Sequence, residues 1–182
     1  MPLLPRAGRP LWRKEKASQK LYDAIVAQAR LPVFYQDYGV PDTLEGRFAV
    51  LSLNLFAVLH RLKAEGGEAL AVSQELADRF KDDMETVLRE LGVSDLRVPK
   101  AMRALAASSA ALLKGYARAF AAGEAQLARA IAAALPLSRE AAGAAGTRLA
   151  HYVSECIRSL EAEPYSAIRA GVLSFPRLSA SR

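Results

Sequence analysis

One run in this chain offers water no polar side. Leu44, Phe48, Leu51, Leu55, Leu59 and Leu62 fall at spacings of 4, 3, 4, 4 and 3, the rhythm of a helix face. Val50, Leu53, Phe56 and Val58 fill the other side. A helix apolar nearly all round belongs in the centre of a packed fold or in a bilayer. Its charge-free part, Phe48 to Leu59, is twelve residues long, well short of the ~20 needed to span a membrane. The run therefore predicts a central buried helix with amphipathic helices around it. Arg47 below it and His60-Arg61 above it would return its ends to water.

The rest of the chain supplies those helices. Leu21, Ile25 and Val26 predict a helix from Ala17 to Arg30, ended by Pro32 because the residue before a proline avoids the α region. Asp42 or Thr43 stands where a cap for the central helix is needed, with Glu45 in the first turn. Gly66-Gly67 stops that helix. Val72, Leu76, Phe80, Val87, Leu88 and Leu91 predict a helix over about 70–91, closed by Gly92, and Pro99 marks a new start. Residues 100–135 are Ala-rich, with Gly115 and Gly123 as interruptions. Pro136 breaks that run, and Ser138 with Glu140 predicts a fresh cap. The next helix carries Leu149, Tyr152, Val153, Cys156, Ile157 and Leu160, and Pro164 begins a last short turn. No stretch sustains period-two alternation, so strands are not expected. The fold class is all-α: one helical bundle of about six to seven helices over residues 17–175. A flexible basic arm precedes it over 1–16, and a tail follows over 176–182.

Catalytic and metal chemistry finds little to build on. A single cysteine, Cys156, excludes a disulfide framework and a cysteine-based zinc site, and fits the core stripe beside Val153 and Ile157. His151 and Cys156 are five residues apart on one helix, about 500° around, and point in different directions. His60 reads as a capping or snorkelling residue. Asp78, Asp82, Asp83 and Glu85 form a carboxylate run, a solvated face or a partner-binding one. One helix cannot by itself complete the shell of a hard cation. No catalytic residue, metal site or cofactor is expected.

The charge is unevenly placed. Of the formal net charge of +6, residues 1–20 carry +5 and residues 164–182 carry +3, which leaves −2 on the body between them. A DNA-binding body would be basic, so DNA is not an expected partner. The basic ends would steer toward an anionic membrane or ribosomal RNA, or would simply be solvated. Nothing at the N-terminus resembles a secretory signal, so the expected location is cytoplasmic, in a reducing compartment.

The remaining feature is aromatic. Phe34, Tyr35, Tyr38, Phe48 and Phe56 are five of thirteen aromatic residues and lie within 23 positions. The part over 33–43 is too rich in Gly and Pro to be expected as a helix. It is either a buried plug at one end of the bundle or a recognition surface held on rigid helices.

The residues of this region carry a resemblance. Leu21-Tyr22-Asp23-Ala24-Ile25-Val26-Ala27-Gln28-Ala29-Arg30, Phe34-Tyr35 and Tyr38-Gly39-Val40-Pro41-Asp42-Thr43-Leu44-Glu45-Gly46-Arg47-Phe48 form one block. Gln74, Asp78, Asp83-Met84, Leu88-Arg89-Glu90-Leu91-Gly92-Val93 and Asp95-Leu96 form a second. In this order and spacing they resemble the ubiquinol–cytochrome c chaperone family. The resemblance covers about residues 20–103 and extends, more weakly, to about residue 175. It departs at Asn54, where the family tends to have His, and at Lys81, where it has an aromatic residue. It departs again at Ser109-Ala110-Ala111-Leu112, where an aromatic tract is usual.

The resemblance implies a non-enzymatic assembly factor for respiratory complex III. Such a factor would accompany cytochrome b or a similar membrane-protein client, with a small partner protein and the ribosome or membrane surface nearby. It implies a client surface on Phe34, Tyr35, Asp37, Tyr38, Val40, Pro41, Asp42, Arg47 and Phe48, and a second partner face on Asp78, Asp83, Arg89 and Glu90. The Ala- and Arg-rich composition points to a bacterium, placing the protein in the cytoplasm or peripherally on the inner membrane. The alternatives are a helical adaptor docked through its basic arm and a carrier of an apolar ligand.

Overall fold

The computed structural model describes residues 11–90 and 97–178. Residues 1–10 of the expected arm, the expected stop at Gly92 and the last four residues lie outside the described residues. Among the described residues eight helices follow one another: α1 (Leu11–Ala29), α2 (Val33–Gln36), α3 (Leu44–Glu65), α4 (Glu68–Glu90), α5 (Val98–Ala121), α6 (Glu124–Ala134), α7 (Arg139–Ala162) and α8 (Tyr165–Arg169). Six are of 11 residues or more, and α2 and α8 are single turns of 4 and 5 residues. The fold is all-α and single-domain, as the periodicity predicts.

The apolar run becomes α3 and takes the centre. It packs against α1, α4, α5 and α7, and Val50, Leu55, Ala57 and Leu62 are wholly buried in it. Thr43 caps it: its hydroxyl accepts from the Gly46 N–H at 3.2 Å, a contact worth ~1 kcal/mol. Asp42 is occupied elsewhere, by Arg47. The upper end departs from expectation. Arg61 does not reach water; it is buried and donates through Nε to the Leu160 carbonyl at 2.9 Å and through Nη2 to the Glu163 carbonyl at 3.3 Å. Glu65 balances it at 2.6 Å. Carbonyls at a helix C-terminus lack intrahelical donors, so a buried guanidinium there is satisfied rather than stranded.

Four other expectations shift for local reasons. α1 begins at Leu11 rather than Ala17, because the prolines and Gly8 all lie at or before Pro10 and the next six residues contain no breaker. α2 occupies part of the segment expected to be irregular. Pro32, Gly39 and Pro41 flank this turn instead of interrupting it, so they limit its length without forbidding it. α5 runs straight through Gly115, because one glycine costs only ~1 kcal/mol in an otherwise strong helix; Gly123 does interrupt, with φ +111°. Beyond α8 the chain is irregular, yet Leu173, Phe175 and Leu178 pack against the core, Leu178 from within the tail expected over 176–182.

The Ala-rich half packs by close approach. A Cβ added at Gly146 in α7 would lie 2.6 Å from the Ala128 carbonyl oxygen in α6, so the two backbones nearly touch. Cys156 is buried in the same helix, and burial pushes its thiol up to about 12.

Candidate interaction cleft

The segment between α1 and α3 presents two different sides. Its inner side is a ring cluster. Phe34 is wholly buried, and its ring meets Tyr38 edge-on at 5.6 Å and Tyr152 of α7 at 5.0 Å. Tyr38 and Tyr152 are 6.2 Å apart. The Tyr152 hydroxyl donates to Asn54 Oδ1 at 2.6 Å and accepts from Gln28 Nε2 at 3.0 Å. Asn54 Nδ2 donates to the Val50 carbonyl at 2.9 Å. The hydroxyl thus ties α7 to α3 and α1 beneath the segment. Val40 is buried, Pro41 is half-buried, and Asp37 is half-buried at the end of α2. A Cβ on Gly46 would lie 2.0 Å from the Pro41 carbonyl oxygen, so only glycine lets the segment lie this close to α3.

The outer side opens on a cleft of about 680 Å³. Its walls come mainly from α1, α3 and α4, with Leu105 of α5 and Ala134 of α6. Val26, Ala29, Leu44, Phe48, Leu51, Met84, Val87 and Leu105 make an apolar lining. Arg30, Glu45, Arg47, Asp83 and Glu90 set charges of both signs around it. Tyr35 joins the two sides: its hydroxyl donates to the Ala29 carbonyl at 2.8 Å while the residue lines the cleft. The Arg47 guanidinium lies 5.9 Å from the Tyr35 ring centre and donates to Asp42 Oδ1 at 2.6 Å. Phe48 reaches Phe80 at 6.0 Å. Leu44 is 49% exposed, a large apolar side chain left in water at the rim.

Electrostatics keep these groups in fixed states. The hydrogen bond from Arg47 holds the Asp42 carboxyl below its usual range, and Asp42 raises the Arg47 guanidinium in return. Burial raises Tyr35, and the nearby Arg47 charge opposes it. Burial is also the main cause that raises Tyr22, followed by its 2.7 Å hydrogen bond to Asp83. These phenols stay protonated and act as donors at neutral pH.

The expected site residues therefore divide. Tyr35, Arg47 and Phe48 line the cleft, with Asp42 paired to Arg47; Phe34, Tyr38 and Val40 pack on the inner side. Of the second expected face, Asp83 and Glu90 line the same cleft. Asp78 is exposed and accepts from Gln74 at 3.2 Å, and Arg89 pairs with Glu85 at 2.9 Å. The sequence reading missed Val26, Met84 and Leu105 as cleft residues, and missed the Gln28–Tyr152–Asn54 network. Asn54 was the available signal, since a polar side chain in an otherwise apolar helix must find a partner. Among the described residues no group of His, Cys, Asp and Glu could hold a metal ion, and no helix is long and apolar enough to cross a membrane.

Comparison with known proteins agrees along the chain. The crystal structure of the Cbp3 homolog from Brucella abortus superposes with a TM-score of 0.78 and 34% sequence identity, over 91% of this chain and 92% of that one. The ubiquinol-cytochrome-c reductase complex assembly factor 1 of Xenopus laevis is 24% identical over 105 residues, or 58% of this chain. The chain spans about half the length of that curated relative, 52% of it. The profile described as ubiquinol-cytochrome C chaperone matches residues 36–175, which include Tyr38 and Tyr152 of the ring cluster, α3 to α8 and most of the cleft. On that match, the chain belongs to the ubiquinol–cytochrome c chaperone family.

Proposed function

We propose that this protein is a non-enzymatic assembly factor for respiratory complex III. It holds an apolar segment of cytochrome b, or of a related membrane-protein client, in the cleft between α1, α3 and α4. The observation that carries this reading is an open apolar cleft, about 680 Å³, with Leu44 exposed at its rim. A helix laid in a groove is read through side chains at i, i+3, i+4 and i+7, and a cleft this size accepts a few of them. The mixed charges of Arg30, Arg47, Glu45, Asp83 and Glu90 would orient the polar flanks of such a segment. Asp78 and Arg89, exposed on α4, are the proposed contact for a small partner protein.

The inner rings hold the segment in place and the outer residues do the binding. Leu44→Glu introduces a charge at an exposed position, so it should cut client capture at least tenfold while moving the melting temperature by less than ~2 °C. Photo-crosslinking from position 44 in respiring cells should yield cytochrome b. Capture of cytochrome b unchanged by Leu44→Glu would refute the cleft as the site. A cleft this size also lies within the small-molecule range of ~300–1,000 Å³, so the runner-up is a carrier of an apolar ligand. A large thermal stabilisation by haem, a quinone or a lipid, with no client crosslink, would favour it.

A further inference from the structure

The exposed side of α5 is a basic stripe that the total charge conceals. No Asp or Glu occurs between Arg97 and Gly123, while Arg97, Lys100, Arg103, Lys114 and Arg118 all do. All five are exposed, and among the described residues none is within ion-pair distance of a carboxylate. At about 100° per residue they fall within an arc of about 120°. Met102, Ser109 and Tyr116, the buried residues of the helix, fall within about 40° on the opposite side. The five cations therefore point away from the bundle, over a floor of Ala104, Ala107, Ala111 and Gly115. The neighbouring α4 has the reverse balance, seven carboxylates against three cations. A body of net −2 is thus an acidic face beside a basic one.

We propose that this outer face of α5 docks the protein on an anionic lipid bilayer. Arg97 to Arg118 spans about 32 Å along a straight helix, a line of cations that meets a plane of headgroup phosphates along its whole length. The floor of methyl groups lets the guanidinium and ammonium groups reach those phosphates. The stripe has no aromatic ring to stack on bases and no side-chain amide to read them, which sets RNA aside. The inference rests on the membrane-client reading, since a factor for a membrane protein has reason to stand at the bilayer. Leu105, on the inner side of α5, lines the cleft. Docking would hold the cleft about one helix diameter, ~10 Å, from the headgroups.

Vesicle flotation with the full chain tests this without any client. Phosphatidylcholine vesicles containing about 30 mol % phosphatidylglycerol should float the protein, and pure phosphatidylcholine should not. Each cation near the surface is worth about fivefold in binding. The variant Lys100→Glu/Arg103→Glu/Lys114→Glu/Arg118→Glu should therefore bind at least a hundredfold more weakly, with an unchanged melting temperature because all four sites are exposed. Exchanging Lys for Arg and Arg for Lys at the same positions should retain binding, and Arg6→Gln/Arg9→Gln in the N-terminal region should leave most of it. About 1 M salt should release the wild type. Binding by the fourfold Glu variant equal to wild type would overturn the proposal. So would loss of binding in Arg6→Gln/Arg9→Gln alone, or a preference for poly(U) over the anionic vesicles. Leu44→Glu should still float, so failure of the cleft reading and failure of this one are separable.

Discussion

The Tyr152 hydroxyl gives the sharpest test of how the ring cluster is held. Tyr152→Phe keeps the ring, and with it the edge contacts to Phe34 and Tyr38, and removes only the oxygen between Asn54 and Gln28. Asn54 is wholly buried, so its Oδ1 loses its donor with no water to replace it, a loss of about 1–3 kcal/mol. Gln28 is half-buried and can turn to solvent, which adds little. With ~2 kcal/mol lost and ~2–4 °C per kcal/mol for a chain of this size, the melting temperature should fall by about 4–8 °C. Burial raises the phenol far above its ordinary value, so the loss should be the same at about pH 6 and about pH 9. A double-mutant cycle with Asn54→Ala isolates the pair and should return a coupling of about 1–2 kcal/mol. The assays are thermal unfolding for the melting temperature and chemical denaturation for the cycle, both followed by circular dichroism. An unchanged melting temperature in Tyr152→Phe, or a cycle additive to within about 0.5 kcal/mol, would refute the reasoning.

Glycine substitutions should have opposite signs at two positions. Gly46→Ala drives a methyl group onto the Pro41 carbonyl and should cost about 3 kcal/mol or more. Gly115→Ala meets nothing within 4 Å and should gain about 0.5–1 kcal/mol. Equal melting temperatures for the two variants would contradict the close approach at Gly46. His60 gives a pH dependence. Packed 5.8 Å from Phe56 and 5.1 Å from Phe120, it is held below its ordinary 6.5 by burial. The unfolded chain therefore binds a proton there before the native state does. Stability should be full above about pH 6.5 and decline as pH falls through the window beneath it. His60→Leu should flatten that part of the profile in denaturant titrations, and an unaltered slope would show that another group is responsible.

The fold class was legible because hydrophobic period is a local property. The spacing from Leu44 to Leu62 alone required a central helix and ruled out a surface one, and Pro32, Gly66 and Pro136 marked ends that the backbone obeys. Thr43, rather than Asp42, became the cap because Asp42 had a partner five residues on, which is still local. The segment over 33–43 was legible as unusual but not as two-sided. Neighbouring residues there face opposite ways, Phe34 inward and Tyr35 toward the cleft, and only the positions of α7 and α4 decide which side is which. Family resemblance pointed to the region that forms the cleft, but not to Leu105, which arrives from 61 positions beyond Leu44.

The sequence by itself determined that this chain is a helical bundle built around one apolar helix, since burial of that helix is the dominant favourable term and no other arrangement keeps it dry. Tertiary structure alone decided where polar and charged groups meet. Arg61 became an internal cap for α7, Asn54 found Tyr152 98 residues away, and the cations of α5 were turned outward, away from the bundle. The physical reason is that a side chain's hydrophobicity is its own, whereas a hydrogen bond or an electrostatic face exists only once distant segments have been brought to within a few ångströms.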